Sequence, residues 1–103
     1  MRFLVKVKLS LECVNRSIRD GSFGPTLQKT LAELKPEAAY FLEEDGCRTA
    51  MLIVDISEAS QIPKFAEPFF HEMNAEVRLH PVMTAQDLAS VNLQELAKMS
   101  SGA

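Results

Sequence analysis

The chain has 103 residues, is 47% hydrophobic and carries a formal charge of −3. That length suits one globular domain burying roughly 60–70% of its unfolded surface, and mild acidity without a Lys or Arg cluster argues against nucleic-acid or anionic-membrane binding. Lys6 and Lys8 interrupt the apolar start MRFLVKVKLSL, so it is not read as a signal peptide, and no stretch is long enough to span a bilayer. Two cysteines without CxxC spacing fit reduced thiols and a cytoplasmic location.

Residues Arg2 to Leu11 alternate, with Phe3, Val5, Val7 and Leu9 on one side, which predicts a half-buried first strand. Asn15 is placed to cap a short turn and Asp20-Gly21 interrupts it. Pro25 suits the first turn of a helix carrying Leu27, Leu31 and Leu34, which Pro36 ends. The stretch from Pro36 to Ser57 then reads as a β-hairpin about Asp45-Gly46, the residue pair a type I′ turn prefers. A two-residue loop sets Glu44 opposite Cys47, Glu43 opposite Arg48, Phe41 opposite Ala50 and Tyr40 opposite Met51. Both faces of this hairpin are largely apolar, so both ask for cover.

Ser57 is read as the N-cap of a second helix, whose stripe is Ile62, Ala66, Phe69 and Met73 and which Pro63 and Pro68 bend or break. AEVRLHPVM alternates again and supplies a fourth strand. Thr84 followed by Asp87 resembles a capping box and opens one C-terminal helix containing Leu88, Val91, Leu96 and Met99, with residues 100–103 expected to fray.

The order strand, helix, strand, strand, helix, strand, helix predicts an α+β class chain. It is a single domain over 1–103, a ferredoxin-like βαββαβ fold with a four-stranded antiparallel sheet plus a C-terminal helix. The first and third strands are then central, and Phe3, Val5, Val7, Leu52, Val54, Val77 and Leu79 face the helices. The opposite, open face carries Leu4, Lys6, Lys8, Tyr40, Leu42, Thr49, Met51, Ile53, Asp55, Arg78, His80 and Val82, and is too apolar to stay bare.

With that element order, the strand MRFLVKVKL, the strand-to-helix junction VDIS and the segment EVRLHPVMT, the chain resembles the dimeric α+β-barrel superfamily. Within it the chain looks most like muconolactone-isomerase-like and antibiotic-biosynthesis-monooxygenase-like proteins. The resemblance implies a homodimer packed through the open sheet face and a small organic molecule, acids included, bound between sheet and helices. No catalytic motif of those families matches residue by residue.

On the open face, Lys6, Lys8, Arg78 and Asp55 are candidate polar contacts to a ligand, and Tyr40 and Met51 its apolar walls. His80 is the candidate acid/base, because its ordinary pKa lies near neutrality. On that reading the chain is a cofactor-independent isomerase or monooxygenase acting on a small organic acid or aromatic compound. The competing reading is a dimer interface in which Lys6 or Lys8 pairs with Glu76, and Asp55 with Arg2 or Arg78; the balanced charges weigh toward it.

Asn15, Arg19 and Asp20 are second-rank candidates near a strand end, and His71 is expected to be exposed. No metal site, disulfide or cofactor is expected, since His71 and His80 lack metal-ligand spacing and the two cysteines fall on opposite faces. RNA binding is not expected without exposed aromatics on the central strands, nor metal carriage without CxxC after the first strand.

Overall fold

The computed structural model describes residues 1–101, with the side chain of Ser101 left aside. The expected fraying at the C-terminus falls partly on Gly102 and Ala103, outside the described residues. The elements run β1 (Arg2–Lys8), α1 (Leu11–Arg19), α2 (Phe23–Leu34), β2 (Ala38–Glu44), β3 (Cys47–Asp55), a 3-10 turn (Ala59–Gln61), α3 (Ile62–Met73), β4 (Glu76–Pro81), α4 (Ala85–Ala89) and α5 (Leu93–Ser101). All neighbouring strands are antiparallel, in the order β2-β3-β1-β4, so β1 and β3 are central as expected. This is an α+β architecture compatible with the split βαβ arrangement.

The hairpin register is as predicted, with Glu44 opposite Cys47, Tyr40 opposite Met51 and Ala38 opposite Ile53. Asp45 and Gly46 sit at φ 53° and 77°, the paired positive values that match a two-residue loop to the sheet's right-handed twist. Val5, Val7, Leu52 and Val54 meet Phe65, Phe69 and Met73 of α3 and Leu34 of α2 in one core. Alternation selects these strand residues and the 3.6-residue period selects the helix residues.

Four local expectations are corrected. The first strand ends at Lys8, and Leu11–Arg19 is a helix. Its N-cap is Ser10, whose hydroxyl accepts from the Cys13 amide at 3.1 Å, and Arg16 and Arg19 complement the dipole in its last turn. Asn15 therefore caps nothing; it sits mid-helix and reaches across to β3.

Ser57 is likewise not the second cap. Glu58 caps the 3-10 turn in a capping box with Gln61, and the Gln61 side chain takes the Ser57 amide at 2.9 Å. Pro63 occupies the first turn of α3, where its missing N–H costs nothing, and Pro68 lies inside a helix that continues to Met73.

The single C-terminal helix is in fact two. Thr84 and Asp87 form the expected capping box, but α4 closes after Ala89, where the Ser90 hydroxyl donates to the Asp87 carbonyl at 2.7 Å. Asn92 then starts α5 by accepting from the Glu95 amide at 3.0 Å.

The long dimension of the molecule is 60 Å against 28 and 22 Å, with a radius of gyration of 17.5 Å, whereas a compact chain of this length has about 13 Å. Every residue from Ala85 to Ser100 is exposed. Residues 85–100 thus form an arm outside the packed body, rooted where the Val82 amide donates to the Arg2 carbonyl at 3.1 Å.

Candidate functional site

The sheet has two unequal uncovered regions. On its helix side, α2 and α3 close over β1 and β3 but leave the edge strand β2 outside. Phe41 faces that side opposite the buried Ala50, yet is 54% exposed. Between it and the helices lies an open cavity of about 640 Å³, walled by Leu9, Leu11, Phe23, Leu27 and Phe41, with Glu43, Gly46 and Arg48 at the hairpin end; Leu42, Cys47 and Thr49, which alternation turns to the other face, also border it. Its size falls in the range of small-molecule sites, roughly 300–1,000 Å³.

Arg48 sets the polarity of the rim. Its register partner Glu43 does not pair with it; the Glu43 carboxylate instead accepts from the Gly46 amide at 2.9 Å and holds the turn. The Arg48 guanidinium donates to Asn15 Oδ1 at 2.8 Å. A neutral amide fixes the arginine without neutralising it, so its positive charge stays available at the mouth of an apolar cavity.

The other face carries the residues singled out from the sequence. Register sets them in cross-strand rows: Tyr40, Met51, Lys6 and Arg78 form one, Ala38, Ile53, Leu4 and His80 the next, and Leu42, Thr49, Lys8 and Glu76 the row toward the turn. Rows lie about 7 Å apart along the strands. The structure thus brings Lys6, Tyr40, Met51 and Arg78 together, with Lys8 and His80 on either side. Asp55, opposite Arg2 at the end of β3, stands two rows from Lys6.

The charges on this face pair differently from the expectation. Lys6 donates to Glu44 at 2.6 Å and Lys8 to Asp45 at 3.3 Å, so the hairpin tip reaches over β1. Asp55 accepts from the Met1 amine at 2.7 Å, and Arg2 donates to Glu37 at 2.9 Å. The Met1 amine holds the Asp55 carboxyl below its ordinary range, with a smaller push from Arg2. The Asp45 carboxylate raises the Lys8 ammonium. Lys6, Lys8 and Arg78 stand against Glu44, Asp45 and Glu76 around a space of about 60 Å³, room for roughly two waters. His80 and Arg78 are exposed on β4.

The second-rank candidates separate. Asn15 positions Arg48, whereas Arg19 is exposed and Asp20 is engaged locally, accepting from the Ser22 amide at 2.8 Å. Ser22 holds the Asp20 carboxyl low. His71 is exposed beside Glu67. Cys13 and Cys47 are free thiols. Among the described residues no three or more His, Cys, Asp or Glu side chains gather to hold a metal, and no helix is long and apolar enough to cross a membrane.

The resemblance implies a pocket between sheet and helices, but none of the residues singled out from the sequence lines this cavity. Phe41, Leu11 and Phe23 carry no chemical signature, and their joint exposure depends on how far the helix layer extends. The available signal was Arg48, a cation at a hairpin tip next to two apolar strands. No protein-family model and no curated protein sequence matches this chain.

Proposed function

We propose that the protein is a homodimeric small-molecule-binding domain of the dimeric α+β-barrel type, taking an organic molecule with an apolar body and an acidic group between sheet and helices. The observation that carries this reading is the 640 Å³ cavity beside β2, apolar in its walls and bearing Arg48 at its rim. An aromatic or aliphatic body would lie against Leu11, Phe23 and Phe41, and a carboxylate would meet the guanidinium group that Asn15 holds. Pairing through the open face is supported by Leu4, Met51 and Ile53, which are only half-buried in one chain, and by the exposed Tyr40 beside them.

The alternative, a cofactor-independent isomerase or monooxygenase using His80, would work on the open face, because His80 lies across the sheet from the cavity. Lys6, Arg78, Tyr40 and Met51 would then contact a substrate held between two sheets.

The test is a titration with arylalkanoic acids and their uncharged amides, followed by calorimetry. Arg48→Gln should weaken binding of the acids at least about tenfold, the scale of a lost charged hydrogen bond, and leave the amides unchanged. Equal affinities of the variant and the native chain for the acids would refute the cavity reading. Binding that survives Arg48→Gln and is lost in His80→Ala would favour the open-face alternative.

A further inference from the structure

The cavity rim carries two opposite charges that do not meet. Glu43 and Arg48 are register partners on the helix side of the hairpin, and such partners have Cβ atoms about 5 Å apart, within reach of an ion pair. Each charge is instead held by a neutral group. The Glu43 carboxylate accepts from the Gly46 amide at 2.9 Å through Oε2, and the Arg48 guanidinium donates through Nη1 to Asn15 Oδ1 at 2.8 Å. Both side chains are exposed. A carboxylate offers about four acceptor positions and a guanidinium about five N–H donors, so one hydrogen bond leaves each with most of its capacity. Glu43 and Arg48 are also the charged residues of the cavity lining, whose walls are otherwise apolar.

This pair limits the ligands that fit. A simple carboxylate that meets Arg48 comes close to Glu43 and is repelled by it, and a simple amine on Glu43 meets the like charge of Arg48. A molecule with an ammonium and a carboxylate on one carbon gives each rim group its opposite charge. The apolar walls below ask that the same carbon carry a large hydrocarbon side chain.

We propose that the cavity takes a free α-amino acid with a large apolar side chain, its carboxylate on Arg48, its ammonium on Glu43 and its side chain against Phe23, Leu27 and Phe41. Glu43 is then the residue that selects an amino acid over the corresponding simple acid. The inference rests on the cavity reading above and narrows its ligand to a class that carries a second, positive group. Glu43 also holds the turn through Gly46, and the two roles have different requirements. The turn needs only an acceptor oxygen, which glutamine supplies, whereas an ammonium needs the negative charge.

The test is calorimetric titration of the native chain, Glu43→Gln and Arg48→Gln with phenylalanine and with 3-phenylpropanoate, the same molecule without its amine. The native chain should bind phenylalanine at least about tenfold more tightly than 3-phenylpropanoate, the scale of one charged hydrogen bond. Glu43→Gln should abolish that preference by moving the two affinities in opposite directions. Phenylalanine should weaken by about tenfold or more, and 3-phenylpropanoate, which no longer faces a like charge, should bind more tightly.

A native chain that binds 3-phenylpropanoate as tightly as phenylalanine, or more tightly, would overturn the amino-acid inference. So would a Glu43→Gln variant that shifts both ligands alike or shifts neither, since Glu43 would then act through the turn alone. In either event, 3-phenylpropanoate binding that still falls about tenfold in Arg48→Gln leaves the cavity reading standing. A native chain that binds neither ligand, or an Arg48→Gln variant that binds both as well as the native chain does, would overturn the cavity reading and this inference together.

Discussion

Val54 and Phe41 project from the same face of the same sheet, yet Val54 is 1% exposed and Phe41 is 54% exposed. Alternation turns both toward the helices. What separates them is position across the sheet: Val54 lies on a central strand beneath the helix layer, and Phe41 on the edge strand beyond it. Apolar patterning decides which face is turned inward, while the width of the helix layer decides how much of that face is sealed. The sealed part holds the fold together, and the unsealed part is where the proposed ligand would lie.

Mutation should divide the two regions sharply. Phe69→Ala removes a side chain that is 1% exposed at the centre of the core, and the loss expected in urea denaturation is about 3–5 kcal/mol. Phe41→Ala should change stability by about 0.5 kcal/mol or less while abolishing ligand binding. Equal costs at the two positions would mean that Phe41 is covered in the assembled protein even without ligand.

The hairpin that carries Phe41 and Arg48 can be weakened at its turn without removing an apolar wall of the cavity. Gly46 sits at φ +77°, and a Cβ built there meets nothing within 4 Å. Gly46→Ala therefore isolates backbone strain, with an expected cost of about 1–2 kcal/mol in thermal or urea unfolding. A neutral result would show that the turn relaxes to another type.

The smallest effect belongs to the arm. The backbone amide and hydroxyl of Thr84, with a minor contribution from Arg2, hold the Asp87 carboxyl below its ordinary value of 3.8. A carboxyl depressed in the folded state stabilises above its ordinary value, and that contribution is lost as pH falls from there through the lower folded value. Acidification below about pH 4 should therefore fray α4 slightly. Amide exchange at residues 85–89 would report it, and Asp87→Asn should remove the pH dependence.

Much of this fold was legible in the sequence because its strongest signals are local. Asp45-Gly46 specifies a turn, and the turn specifies the β2–β3 register that sets Tyr40 opposite Met51; the register of β1 and β4 beside that hairpin was not legible in the sequence. The errors arose where two local signals competed. Leu9-Ser10-Leu11 continues the alternation of β1, so the Ser10 cap three residues before Cys13 was hidden by the strand pattern. Leu88, Val91, Leu96 and Met99 suit one helix as well as two, and the Asn92-Glu95 cap that divides them was overlooked.

The cavity was hidden for a different reason. Its walls come from β1, α1, α2 and the hairpin, and no periodicity within any of them records that the helix layer stops short of β2. The ion pairs were misassigned similarly: Glu44 and Asp45 reach Lys6 and Lys8 only because the hairpin tip comes over β1.

The central claim, that the uncovered ground beside β2 is the binding site, is tested most directly by backbone amide NMR during addition of an arylalkanoic acid. The account predicts that the largest shifts fall on Leu11, Phe23, Phe41 and Arg48, around the cavity, while Lys6, Arg78 and His80 across the sheet stay in place. Shifts centred on Lys6, Arg78 and His80, with the cavity residues unmoved, would contradict it and move the site to the open face.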